Sequence, residues 1–569
     1  MNRFLNKFIA LLFVVVLLSG AFSGCGLFGR NVEPIEEEED NGYEDMNGLE
    51  FDPGRPTPAT PIGDGRFNIG FVAGDALNPF TTMSRDNLAV GGLLYEGLFA
   101  LDDNFTAVPV LAHNLSTADG VRYTLEIRQD ISFHNGAPLT VEDVIYSLNR
   151  ARSSAFFGGR LSIITGYDRR ADAEGNPFAY EMELTLSRVH GNLPVLLTFP
   201  IIQYGTMGWT VPPGTGPYRY SDDAGQPRLL QFADHWHEVS PSLDTIYLTE
   251  IVSIEQLTAH VNSGILNLVA LDPTATVPPR FAAEMELRSF EATLMDYVGF
   301  NINRPETGRL EVRQAISRAI DRAYITDNIM FGNAVSSPLP IHPSLAYYDH
   351  ALASEFAFDF AYARALLQTR PVPAQDNEPE ADDPDEPAPE YDNPYLNDLE
   401  AVEEEEAPEE EPTLPQLSLL VAGDSTARME VAVYIAESVA ALGYQVIIVD
   451  LPYDEYLEAL QAGRFDLFYG QVRLQPDFDL TDVLFRDLAF GGISTLVDRQ
   501  LVDDFLAADH LDRAVAASAM CGAILEAAPI SVIGFRHLAV ATHRGMVTGL
   551  RPTQENLFRD VFHWSVALG

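Results

Sequence analysis

Residues 417–470 read LSLLVAGDSTARMEVAVYIAESVAALGYQVIIVDLPYDEYLEALQAGRFDLFYG, and the reading of this stretch decides the fold. Three apolar runs, Leu417–Gly423, Tyr444–Asp450 and Phe465–Gly470, alternate with two segments of helical character that close on Gly443 and Gly463. Runs without polar alternation predict strands covered on both faces. Helices between them predict βαβ crossovers and a parallel sheet. In such sheets ligands sit beyond the carboxyl ends of the strands, here Gly423-Asp424, Asp450-Leu451 and Gly470-Gln471. Neither G-x-x-x-x-G-K-[ST] nor G-x-G-x-x-G occurs, which argues against a nucleotide there.

Upstream the periodicity changes. Arg66–Val72, Val121–Phe133 and Tyr180–Leu186 alternate apolar and polar residues, the pattern of half-buried antiparallel strands. Leu310–Gly332 places Val312, Ala315, Ile316, Ala319 and Ile320 on one face and predicts a single amphipathic helix. A chain of 569 residues exceeds one core, so several lobes are expected.

The net charge of −48 is concentrated. Residues 31–52 hold ten acids and no base, and residues 371–412 hold eighteen acids and no base. Segments so charged and so poor in apolar residues cannot offset ordering entropy by burial. They predict an acidic tether over residues 25–64 and an acidic disordered insertion over 371–412. The acidity disfavours nucleic acid, whose phosphates need Lys and Arg.

The N-terminus carries Arg3 and Lys7, then the apolar run Phe8–Leu18, then AFSGC ending at Cys25. The run is shorter than the roughly 20 residues of a spanning helix, so residues 1–24 read as a secretory signal. The stretch resembles a lipobox, which implies lipidation of Cys25 and anchoring on the outer face of the bacterial cell membrane. Cys521 is the other cysteine, and its helical, apolar surroundings predict a buried, inert thiol.

Reactive side chains concentrate in FHNGAPLTVEDVIYSLNR, residues 133–150. Asn135-Gly136 predicts a turn, and Thr140 and Asp143 have the spacing of a capping box. Glu142 and Asp143 are neighbours, about 100° apart on a helix, and cannot jointly hold a metal. The stretch reads as scaffold. His235 and His237 read as loop histidines. No G-x-S-x-G and no H-E-x-x-H occurs, so neither catalysis nor a metal or other cofactor is expected.

Several blocks now fall in order: LNPF, YEGLF, the segment just discussed, GTGPYRY, FADHWHEVSPSLDTIYL, GFNINRPETGRLEVRQAISRAIDRAYI, the 417–470 stretch and AAPISVIGFRH. Together they resemble the extracellular solute-binding proteins of peptide and nickel ABC importers, family 5, over nearly all of Arg66 to Leu568. The resemblance implies an α/β clamp of the type II periplasmic-binding-protein kind with an extra lobe. Lobe I would comprise residues 65–95, 206–298 and 536–569, lobe II 96–205, and lobe III 299–535. It implies a monomer that captures a peptide, or a similar solute such as a metal chelate, a sugar or a haem-like compound. The ligand would be delivered to the transmembrane subunits of an ABC permease, or sensed without transport. It also implies a ligand lying between Thr82, Met83, Ser84 and Arg85 on one side and Gly470, Gln471 and Val472 on the other. Peptide-binding members place an aromatic after that Gly and an Asp four residues beyond it; this sequence has Gln471 and Leu474. Asp477 and Asp479 lie slightly later and could take the place of that Asp, and Arg473 could grip a carboxylate.

Overall fold

The computed structural model describes residues 65–223, 225–273, 275, 279–368 and 415–568. The signal, the tether with Cys25 and the acidic insertion lie outside the described residues.

Among the described residues eleven strands form one sheet. One end is the block read from sequence: Gln416–Ala422 lies between Gln445–Leu451 and Leu467–Arg473, parallel to both. Helices Thr426–Ala440 and Tyr453–Gln461 make the crossovers. Ser425 caps the first by accepting from the Arg428 amide. The other end of the sheet runs through Leu268–Leu271, Asn68–Phe71, Thr245–Glu250, Arg228–Gln231 and Tyr218–Ser221.

Two long antiparallel strands, Met285–Phe300 and Ile530–His543, join the ends. Residues 285–291 pair with 537–543, and residues 295–299 pair with 530–535. Register shifts between Glu291 and Met295, and again between Asp296 and Tyr297, break the ladder midway. Bulges of this kind bend and twist a strand where they occur.

The cores follow the same division. One contains Phe67, Ile69, Leu93, Leu125, Phe133, Val144, Leu197, Leu248 and Trp564, and so unites the antiparallel segments with the first sheet end. Two others, around Tyr297, Phe468 and Phe535 and around Val298, Leu419 and Val431, belong to the parallel end.

The helix expected over Leu310–Gly332 is corrected by the structure. It runs only over Leu310–Ala319. Ile320 is extended, and Asp321 caps a new turn by accepting from the Tyr324 amide. The break has a cause: Arg322 is drawn under the sheet, where its Nε donates to the Val532 carbonyl at 2.6 Å and its Nη2 to Ser531 Oγ at 3.1 Å.

Candidate ligand-binding site

The segment 133–150 packs as scaffold. The Thr140 amide donates to Asp143 Oδ2 at 2.9 Å, closing the cap of helix Val141–Ala151. Asp143 Oδ1 accepts from the Tyr204 amide, and Glu142 meets Arg169 at the surface. His134 lies 3.1 Å from the Gly216 carbonyl and edge-on to Phe232. Burial pulls it down to about 4, against the opposing pull of Gly216 and Glu96, so the ring is neutral at physiological pH. His235 is held by Glu96, and His237 stacks on Phe562. Cys521 is buried, and burial pushes its thiol up.

The segment Thr82–Arg85 is built by Asp75. Its Oδ2 accepts from Thr82 Oγ1 at 2.6 Å and from the Met83 and Ser84 amides at 2.8 Å each. Burial works to raise the Asp75 carboxyl, but these bonds together hold it below the ordinary range. Ser84 then caps helix Arg85–Leu94, so Arg85 is its first helical residue. Thr82 is buried, while the Met83 side chain is open to solvent.

Gly470–Arg473 ends the central parallel strand. Along one edge it pairs with Met285–Phe300, Gly470 opposite Tyr297 and Arg473 opposite Leu294. A Cβ at position 470 would come within 2.7 Å of the Tyr297 ring, which explains the glycine. The Leu474 amide donates to the Thr293 carbonyl. By strand alternation the amides of Gln471 and Arg473 therefore point the other way. On that side Gln416–Ala422 pairs only with Leu467 and Phe468, so beyond Phe468 the edge meets no strand among the described residues. Val472 packs into the core, and Gln471 Nε2 donates to Asp296 Oδ1 at 3.2 Å.

Arg473 is the charged residue of this edge. Its Nη1 donates to Gln554 Oε1 at 3.2 Å, while its Nε is enclosed and has no hydrogen-bond partner among the described residues. Burial, and then the positive charge of Arg85, pull Arg473 down to about 10; Glu555 and Asp272 pull the other way. Arg85 of the first segment is thus near enough for its charge to be felt at Arg473 of the second.

It does not bring Asp477 and Asp479 to them as free carboxylates. Asp477 is buried with Oδ2 3.1 Å from His190 Nε2, and its backbone carbonyl accepts from Arg513. Burial would raise this carboxyl, but His190, the Asp479 amide and Arg513 outweigh it and hold it low. Asp479 pairs with Arg188, which also meets Asp503. The Gly191 amide donates to the Leu506 carbonyl, and Phe105, at a left-handed backbone position, inserts its ring against Phe478 and His342. These contacts tie the antiparallel part to the parallel part. His190, Arg188, Asp75, Thr293 and Gln554 carry no motif, and their sequence separations from the partners just named leave no local signal that could have found them, Asp75 excepted.

Two packed parts, joined by two long strands with register shifts and in contact at His190, Arg188 and Gly191, have the α/β architecture of the type II periplasmic-binding-protein kind. The match to a family model is specific: residues 106–484 fit the bacterial extracellular solute-binding proteins, family 5 Middle, and the chain belongs to that family. Among curated relatives, the glutathione-binding protein GsiB of Escherichia coli (strain K12) is 25% identical over 312 residues, which is 52% of this chain and 59% of the relative. The chain thus matches little more than half the length of that relative. Among solved structures, a putative peptide binding protein AppA from Clostridium difficile superposes with a TM-score of 0.65 at 16% identity, covering 88% of this chain and 100% of that one. NikZ from Campylobacter jejuni, in complex with Ni(L-His), gives a TM-score of 0.59 at 16% identity over 89% and 100%. These likenesses carry the fold. Among the described residues no helix is long and apolar enough to cross a membrane.

Proposed function

We propose that this chain is the receptor of an ABC importer, held at the outer face of the cell membrane by a lipid on Cys25, and that it captures short peptides between its two parts. The observation that carries the peptide reading is the strand edge at Gln471 and Arg473, which meets no strand among the described residues; the Asp75-ordered segment Thr82–Arg85 would form the other wall. An extended peptide can add to such an edge through its backbone, with little demand on side-chain identity. The kinked strands Met285–Phe300 and Ile530–His543 act as the hinge, and lobes I and II move together against lobe III. Ligand favours the closed form because only there do both sides touch it.

The pairing of Asp477 with His190 and of Asp479 with Arg188 favours a second reading, a non-peptide solute, since neither carboxylate is left to hold an α-amino group. Thermal-shift screening with mixed tripeptide libraries separates the two. Stabilisation by peptides is expected, and none with any library would overturn the peptide reading.

A further inference from the structure

We propose that Arg188 and His190 of the antiparallel part form a clasp with Asp477, Asp479 and Asp503 of the parallel part, and that this clasp closes the clamp before any ligand is bound. The inference rests on the reading of the two long strands as a hinge and is independent of what the cleft holds.

The centre of the contact is dry, and each side is ordered by its own part. His190 and Asp477 are 1% and 4% exposed. His190 Nδ1 accepts from the Asn192 amide at 3.3 Å, which leaves the ring proton on Nε2, 3.1 Å from Asp477 Oδ2. The His190 amide donates to the Gly120 carbonyl, and the His190 carbonyl accepts from Tyr123 Oη at 2.6 Å, so the antiparallel part holds the imidazole in place. On the other side Asp477 Oδ1 accepts from the Asp479 amide and the Asp477 carbonyl accepts from Arg513 Nη2, each at 3.2 Å. Groups ordered in advance lose little freedom when they meet, which favours closure.

Charge and shape complete the contact. At its rim Arg188 meets Asp503 and, at 3.4 Å, Asp479. One side thus offers a cation and a ring donor, and the other offers carboxylates, a complementary pair of surfaces. The Gly191 amide donates to the Leu506 carbonyl at 2.9 Å, an approach that a side chain at 191 would prevent, since its Cβ would come within 1.9 Å of the Ala508 carbonyl oxygen. Beside it, Phe105 and Phe478 come from opposite parts, both with left-handed backbone at φ 56° and 60°, and their rings meet edge to face at 5.6 Å. Left-handed backbone is costly for a bulky residue and persists where surrounding contacts over-determine it, as at switch regions.

Position makes the contact a clasp. Asp477 and Asp479 lie on the loop that leaves the strand Leu467–Arg473, beyond its ligand-facing edge. The clasp therefore grips that loop and leaves the edge itself untouched. Each of its bonds runs from one part to the other, so swinging the parts away about the register shifts would break them together.

The test uses the ligand-free full chain with spin labels on Val252→Cys and Val433→Cys, exposed positions on opposite parts, with Cys25→Ser and with Cys521 buried. Double electron–electron resonance reads the distance between the parts, and hydrogen exchange reads the Gly191 amide. The otherwise unaltered chain is expected to give the short distance of this structure and a protected Gly191 amide. His190→Leu strands the Asp477 carboxylate whenever the parts close, and Arg188→Glu sets like charges against Asp479 and Asp503. Both should lengthen the distance and speed Gly191 exchange by about tenfold or more, the loss that follows removal of a hydrogen bond to a charged group. His190→Gln keeps an amide donor for Asp477 and should stay short. Arg188 lies at the partly exposed rim, so its variant decides the matter should the buried substitution disturb folding. A long distance in the otherwise unaltered chain, or a short one in Arg188→Glu with Gly191 still protected, would overturn the clasp. Neither result touches the peptide reading, which the library screen tests by itself.

Discussion

Asp296 offers the sharpest test of how the two parts are joined. It lies on Met285–Phe300 at the register shift, opposite Gly534, and Arg536 reaches it from two residues further along Ile530–His543. Both are buried, at 1% and 3% exposure. Arg536 Nε meets Asp296 Oδ2 at 2.6 Å and its Nη2 meets Oδ1 at 3.1 Å, while Tyr469 Oη and Gln471 Nε2 also donate to Oδ1. Burial works to lower the Arg536 pKa, but Asp296 and Tyr469 reverse it and push it up. Asp296→Ala leaves the guanidinium buried without its carboxylate, which costs about 3–5 kcal/mol. For a folding unit of ordinary domain size that is a fall in Tm of about 10 °C. Differential scanning calorimetry measures it. Replacing the pair by apolar residues, Asp296→Leu with Arg536→Met, should recover more than half the loss, because no charge is then stranded. A loss below about 1 kcal/mol in the single variant, or a double variant as unstable as the sum of its singles, would refute the reasoning.

His134 predicts acid lability of the antiparallel part. Its folded pKa of about 4 lies below the ordinary 6.5, so the unfolded chain binds the extra proton first. Stability from this group is whole above pH 6.5 and is lost as pH falls toward 4, by about 3 kcal/mol. Denaturant melts across that range should show the slope in wild type and lose it in His134→Gln. Gly191→Ala should open the contact between the parts, since its Cβ would lie 1.9 Å from the Ala508 carbonyl oxygen, a backbone atom with no rotamer to yield. Small-angle scattering of the ligand-free variant should give a larger radius of gyration, and an unchanged radius contradicts the prediction. Asp75→Ala should speed amide hydrogen exchange at Met83 and Ser84 and leave the core of helix Arg85–Leu94 protected; unchanged exchange at those two amides counts against Asp75 as their organiser.

What was legible in the sequence was local. The apolar runs of 417–470 announce their parallel sheet because burial on both faces leaves no polar alternation. Thr140 and Asp143 announce a helix start because both partners lie within one turn. The break at Ile320 was hidden, because Arg322 turns the chain to reach Ser531 and Val532, more than 200 residues away. The site was half visible. Gly470–Arg473 could be placed at a strand end by pattern, but the bond of Arg473 to Gln554, which itself accepts from Thr293, could not. The fates of Asp477 and Asp479 depend on His190 and Arg188, which arrive from a different core. Such pairings are set by topology, and no local period encodes them.

The central claim is that a ligand is held between the strand edge at Gln471–Arg473 and the segment Thr82–Arg85. A crystal structure of the full chain grown with a mixed tripeptide library tests it most directly. The account predicts density for an extended backbone paired with Gln471 and Arg473 and touching the segment Thr82–Arg85 on its other side. Density bound elsewhere, with this edge covered by protein or left bare, would contradict it.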